Sequence, residues 1–102
     1  MSYLNGSNWN DLNEMRCLLI YLKLKSESPK RGAQQAYCQA IEQKAGISSG
    51  SLSSKVSDYS KISGGNRSSH FSQNTQRIFE QFGHFAISEV EKEILRLETL
   101  RD

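Results

Sequence analysis

Apolar residues recur every three or four positions along most of this chain, and that spacing is the strongest constraint on its fold. The pattern begins at Trp9 and is densest up to Lys25, and no segment shows a sustained alternation of period two. Steps of three and four place side chains on the same side of a helix. The sequence therefore predicts an all-α protein.

Three predicted helices follow one another closely in the first two thirds of the chain. The first covers Trp9 to Lys25 and ends before Pro29, because the residue before a proline avoids the helical region. The second covers Ala33 to Ala45 and the third runs from a cap at Ser48 or Ser49 to about Ser60. The link of three or four residues, which begins with Gly46, has the length of a helix-turn-helix connection.

Two further helices are predicted after a Gly- and Ser-rich loop over residues 62–69. A short fourth helix has its cap at Ser72 or Asn74 and stops at Gly83. The last helix begins at a cap on Ser88, with Glu91 three residues later as in a capping box. With 102 residues in all, we expect a single domain, in which a trihelical helix-turn-helix core (9–82) is followed by a C-terminal helix (87–101).

Charge is distributed unevenly, although the formal net charge is only +2. Residues 15–79 carry ten bases against three acids, whereas residues 80–102 carry six acids against three bases. Asymmetry of this kind is typical of a protein with a charged partner. The basic part coincides with the predicted helix-turn-helix.

The third predicted helix has a short, polar outer face that is almost free of acids. Its members are Ser49, Ser51, Ser53, Ser54, Lys55 and Ser57. Short hydroxyl side chains allow a helix to approach a phosphate backbone, and the first turn of a helix offers N–H groups and a positive dipole end to an anion. We therefore expect this helix to contact DNA. A solvated serine-rich surface is the alternative explanation of the same pattern.

From Trp9 to Phe82 the chain resembles the small Myb/SANT-like helical domain at the N-terminus of bacterial HNH-type restriction endonucleases. The resemblance depends on Trp9, Glu14, Leu18 and Tyr21 in the first helix, on the run from Ala45 to Val56, and on Ser72 to Phe82. It implies a DNA-contacting module in which Ser49, Ser51, Ser54 and Lys55 face the duplex.

The chain departs from that family in two ways. Ile47 stands where such domains usually carry an arginine just after the turn glycine, so one expected DNA contact is missing. The residues after Phe82 are predicted to form a helix rather than a nuclease. The resemblance therefore implies the DNA-reading part of such an enzyme without its catalytic part.

The remaining basic residues of this region are expected to contact phosphates. They are Lys30, Arg31, Lys44, Lys61 and Arg67. The predicted function is that of a small double-stranded DNA-binding protein, either a transcriptional regulator or a phage or mobile-element factor. The alternative is a protein-binding adaptor or inhibitor that uses the helical surface without nucleic acid.

The last helix carries an apolar stripe made of Ile87, Val90, Ile94 and Leu97. The stripe predicts either packing onto the first helix of the same chain or a seam that joins two copies. A homodimer would allow two copies to read two half-sites.

The sequence predicts neither an enzyme nor a cofactor. His70 and His84 form no metal-ligand spacing with Cys17 or Cys38, and Gly64-Gly65 lacks the lysine of a phosphate-binding loop. No small-molecule substrate and no membrane partner are predicted, because the longest apolar-rich stretch is too short to span a bilayer. The absence of a secretion signal and the two unrelated cysteines predict a cytoplasmic location.

Overall fold

The computed structural model describes residues 9–27, 31–65 and 71–101, and the described part of the chain contains five helices and no strand. The helices are α1 (Asp11–Ser26), α2 (Ala33–Ala45), α3 (Ser49–Ser63), α4 (Gln73–Phe82) and α5 (Ile87–Arg101). The predicted all-α class is confirmed. Within the described ranges, none of these helices is both long and apolar enough to cross a membrane.

Helix α1 is the centre of the molecule, because all four other helices pack against it. Ten of its 16 residues are buried, and three of these are polar: Asn13, Glu14 and Arg16. Apolar residues spaced by three and four positions predict burial on one side of a helix. The structure encloses this helix on nearly every side, which is the pattern of a central helix in a bundle.

The core is formed where α3, α4 and α5 meet the apolar side chains of α1. Leu18 is fully buried, as are Leu52 and Tyr59 from α3, and Ile78 and Val90 are buried with them. The Phe79 ring lies 6.2 Å, centroid to centroid, from both Tyr21 and Tyr59. These contacts fix the orientation of α3, and therefore which of its residues face solvent.

Most of the predicted helix ends are correct because their caps are local. The side chains of Asn10, Ser48 and Ser72 accept hydrogen bonds from the backbone N–H three residues later, at the start of α1, α3 and α4. Gly46 ends α2 with a φ of 70°, in the left-handed region that favours glycine.

Two predicted boundaries and one predicted cap were wrong. Helix α1 begins at Asp11 rather than at Trp9. Helix α3 continues to Ser63, so the first residues of the expected loop are helical. Helix α5 covers the predicted range 87–101, but the predicted cap Ser88 lies inside the helix. Its Glu89 carboxylate accepts a hydrogen bond from the Ala86 N–H at 3.0 Å, so Glu89 rather than Glu91 is the capping-box glutamate.

Candidate nucleic-acid interface

The connection between α2 and α3 is a tight turn that brings the two helices into direct contact. It consists of Gly46, Ile47 and Ser48, and the Gly46 N–H donates to the Glu42 carbonyl at 3.0 Å. The length of the turn and the left-handed glycine agree with the predicted helix–turn–helix connection. The sequence-predicted DNA contacts lie on both sides of this turn.

The first turn of α3 is already occupied by a carboxylate. The Ser49 N–H donates to Glu42 Oε2 at 2.8 Å, and the Ser51 N–H donates to Ser48 Oγ at 3.3 Å. The sequence predicted that these N–H groups would receive a phosphate. That expectation was wrong for Ser49, because the Glu42 carboxylate takes the hydrogen bond and its negative charge repels a second anion.

Several serines of α3 bind α2 instead of facing outwards. The Gln34 side-chain amide donates to Ser53 Oγ at 2.9 Å and to Ser57 Oγ at 3.1 Å. The amide of Gln35 donates to Ser49 Oγ at 3.1 Å. Of the predicted DNA-contacting serines, Ser51 and Ser54 are exposed, whereas Ser49 is half-buried and engaged.

Lys55 faces inwards, which corrects its predicted position against DNA. Its Nζ atom lies 2.8 Å from Thr75 Oγ1, 3.5 Å from Glu14 Oε2 and 4.7 Å from the centroid of the Trp9 ring. Only 14% of its side chain is exposed. A lysine held by a buried carboxylate and an aromatic ring has a structural role, so the Lys55 ammonium is not free to bind a phosphate.

Glu14 is the centre of the cluster that holds Lys55, and sequence reasoning missed it. The Tyr59 hydroxyl donates to Glu14 Oε1 at 2.7 Å, and the Thr75 hydroxyl lies 3.1 Å from both carboxylate oxygens. A signal was present in the sequence, since Glu14 lies four residues before Leu18 and seven before Tyr21, on an apolar side of α1.

Three of the predicted phosphate contacts are exposed on α2, α3 and the residues just before α2. These are Arg31, Lys44 and Lys61. Lys30 and Arg67 lie outside the described residues. Between Arg31 and Gly65, every exposed charged side chain is a cation, because Glu42 and Asp58 are both half-buried. We use the name cationic face for the exposed residues of α2 and α3 together with Arg31, which precedes α2.

Helices α4 and α5 have a different charge pattern. They carry five glutamates against four basic residues, and exposed acids (Glu80, Glu89, Glu91) lie beside exposed bases (Arg77, Lys92, Arg96). The Glu93 carboxylate binds the Arg96 guanidinium one turn later, and this hydrogen bond lowers the pKa of Glu93. Exposed acids are therefore found on α4 and α5, whereas the described residues of α2 and α3 expose none.

The apolar stripe of α5 packs inside the molecule. Val90 and Ile94 are buried and belong to the core cluster, and Ile87 and Leu97 pack against that cluster as half-buried residues. Because α5 packs along α1, the intrachain alternative is the one the structure adopts. The Val90 and Ile94 side chains of the predicted dimer seam are therefore not available to a second copy.

The two cysteines are free thiols inside the helical core. Burial raises the pKa of both thiols above the usual value, and the Cys17 thiol also lies 3.8 Å from the Leu52 carbonyl oxygen. A raised pKa keeps a thiol protonated and unreactive. Within the described ranges, no group of three His, Cys, Asp or Glu side chains could hold a metal ion.

Scans against protein-family models and searches of curated proteins and solved structures find no match for this chain. The resemblance to the N-terminal domain of HNH-type endonucleases therefore stays a prediction.

Proposed function

We propose that this protein binds double-stranded DNA through the cationic face, with α1, α2 and α3 acting as a helix-turn-helix core. The observation that carries the proposal is the sign of the exposed charge on α2 and α3: Arg31, Lys44 and Lys61 are exposed, and the only acids between residues 31 and 65 are half-buried. Cationic side chains that are free to reach phosphates supply most of the non-specific affinity of DNA-binding proteins.

The polar character of the cationic face supports the same function. Its exposed uncharged residues are glutamines, serines, alanines and Gly50, which fit closely against a phosphate backbone or a groove. Acids that would oppose DNA are concentrated on α4 and α5. The absence of exposed acids from the described residues of α2 and α3 is consistent with a DNA-binding regulator, or with a phage or mobile-element factor.

The experiment is a fluorescence-anisotropy titration of a duplex at several salt concentrations. Affinity should fall linearly with salt on logarithmic axes, and replacement of Arg31, Lys44 or Lys61 by Ala should each reduce the slope by about one. Lys92→Ala is the matched control, because Lys92 is an exposed lysine on α5. Binding that is absent at low salt, or a slope that none of the three substitutions changes, would contradict the proposal.

Lys55→Ala should behave differently from these variants. Because Lys55 belongs to the Glu14 cluster, its loss should lower the free energy of unfolding rather than change the salt slope of the folded protein.

A groove favours the protein-binding alternative as the second candidate function. It lies between α1, α2 and α5, has a volume of about 280 Å³, and has an apolar lining that includes Leu19, Tyr37 and Ile41. Three bases and one acid also line it: Arg16, Lys23, Lys44 and Glu98. An apolar groove with more bases than acids around it fits a partner helix that carries acidic residues. The anisotropy titration separates the two functions, since only DNA binding predicts the salt slope.

A further inference from the structure

Helix α2 presents an unusually large part of its surface to solvent. Only Cys38 and Ala45 are buried among its 13 residues. Its exposed residues come in neighbouring pairs, and the pairs repeat about once per turn: Gln35 and Ala36, Gln39 and Ala40, and Gln43 and Lys44. At about 100° of rotation per residue these six cover one continuous arc of roughly half the helix circumference.

Helix α3, which the sequence predicted as the DNA-contacting helix, offers a poorer surface. Its exposed line over Gly50, Ser51, Ser54 and Lys61 also contains the half-buried acid Asp58. Its N-terminal N–H at Ser49 is bound to Glu42, and Ser53 and Ser57 are bound to Gln34. The Asp58 carboxylate repels phosphates, and the hydroxyls of Ser53 and Ser57 already have hydrogen-bond partners. Helix α3 therefore has few side chains free to bind a base pair.

The side chains of the α2 arc have a specific match among base pairs. A glutamine amide donates and accepts one hydrogen bond each, and so pairs with N6 and N7 of adenine in the major groove. Alanine is small and contacts the thymine methyl group in the same groove. Glutamines and alanines adjacent on one face therefore match A·T pairs better than G·C pairs, whose guanine is read by Arg or Lys.

From this match we propose that α2, rather than α3, lies in the major groove and that Gln39 and Gln43 read adenines of A·T pairs. The inference rests on the proposed DNA-binding function and assigns its base-reading residues. Gln35 is excluded from this role because its amide is bound to Ser49.

The cations at the two ends of α2 support this placement. Arg31 precedes the helix and Lys44 lies in its last turn, so about 20 Å of helix axis separates them at 1.5 Å per residue. Gln39 and Gln43 are one turn apart, about 6 Å along the axis, which is within two base-pair steps of duplex DNA. A helix with amides in its middle and a cation at each end is suited to reading bases while its ends hold phosphates.

The test compares two short duplexes with identical flanks, one with a central run of A·T pairs and the other with G·C pairs. The unmodified protein should prefer the A·T duplex, and Gln39→Ala or Gln43→Ala should each reduce that preference about tenfold while leaving the salt slope unchanged. Gln81→Ala is the matched control, because Gln81 is an exposed glutamine on α4. Circular dichroism of each variant checks that it is folded.

Base analogues in the same duplex give an independent measurement. Replacing adenine by 7-deazaadenine removes the N7 acceptor and should weaken binding of the unmodified protein but not of Gln39→Ala/Gln43→Ala. Replacing thymine by uracil removes the methyl group and should produce a smaller loss.

The possible failures are distinguishable. Salt-dependent binding with no A·T preference, or with a preference that survives both glutamine substitutions, overturns the assignment of α2 and leaves the proposed function standing. No binding to either duplex at low salt overturns the proposed function and this inference together.

Discussion

Two polar clusters flank α1, and they differ in how completely the protein encloses them. The Glu14 cluster joins α1 to α3 and α4, and the Glu14 side chain is 1% exposed. The second, which we call the Asn13–Arg16 cluster, joins α1 to α2 and α5. Its outer member, Glu98, is 31% exposed.

The chemistry of the two clusters follows this difference in enclosure. Glu14 is surrounded by hydroxyl donors from Tyr59 and Thr75 as well as the Lys55 ammonium. In the second cluster the Asn13 amide donates to the Ala45 carbonyl at 3.0 Å, and Arg16 donates to Asn13 and to Glu98. A charge far from water needs several partners, whereas water supplies part of the solvation of a charge near the surface.

The largest expected effect is that of Glu14→Ala. The substitution leaves the Lys55 ammonium and the Tyr59 hydroxyl without their buried acceptor, and should lower the free energy of unfolding by about 3–5 kcal/mol. Urea denaturation followed by circular dichroism measures it.

Asp11→Asn is the control for Glu14→Ala. It removes an ion pair with Arg77 whose two side chains are about half exposed, and should change stability by less than about 1 kcal/mol. Equal losses of unfolding free energy in Asp11→Asn and Glu14→Ala would show that burial gives the Glu14 cluster no more stability than an exposed ion pair has.

Asn13→Ala should have an intermediate effect. It leaves the carbonyl of Ala45, at the end of α2, and part of the Arg16 guanidinium without a buried partner, with an expected loss of about 1–3 kcal/mol. Ser26→Ala provides the comparison, because the Ser26 hydroxyl also donates to a backbone carbonyl but is exposed. If the two variants unfold at the same urea concentration, the Asn13–Arg16 cluster contributes no more than a surface contact.

Glu98→Gln should have the smallest effect, about 1 kcal/mol or less, because the carboxylate is partly exposed. The hydrogen bond from Arg16 lowers the pKa of Glu98 in the folded protein. A lowered pKa stabilises the folded state above the pKa of the unfolded chain, and this stabilisation is lost as the pH falls through the folded value.

The stability difference between the unmodified protein and Glu98→Gln should therefore be present at neutral pH and disappear in acid. Thermal melts over a pH series measure it, with Glu93→Gln as the control for a carboxylate paired within its own helix. A difference that is constant with pH would assign the effect to packing rather than to charge.

The sequence predicted the helices well because their signals are local. Asn10, Ser48 and Ser72 are caps that act within three residues, and Gly46 ends α2 through its own backbone conformation. The boundary errors, at the start of α1 and the end of α3, are therefore only two or three residues.

The candidate interface was predicted only in part, because exposure depends on packing. Lys55 lies on the serine-rich helix α3, whose sequence predicts an exposed side chain. The packing of α4 places Thr75 beside the Lys55 ammonium, which therefore faces inwards. Gln39 and Gln43 were not among the predicted contacts, since nothing local to them indicates how much of α2 stays exposed. The exposed cations Arg31, Lys44 and Lys61 were expected to contact phosphates, and the structure leaves them on the surface.

The sequence by itself determined that this chain is helical, where its helices begin and end, and that its bases and acids are concentrated in different segments. Those properties depend on backbone hydrogen bonds and side-chain spacing over a few residues. Only the tertiary structure decided which polar side chains are buried around α1, that the α5 stripe packs within its own chain, and that the exposed charge of α2 and α3 is cationic. The reason is that burial is a property of the neighbours a helix acquires, and those neighbours come from distant parts of the chain.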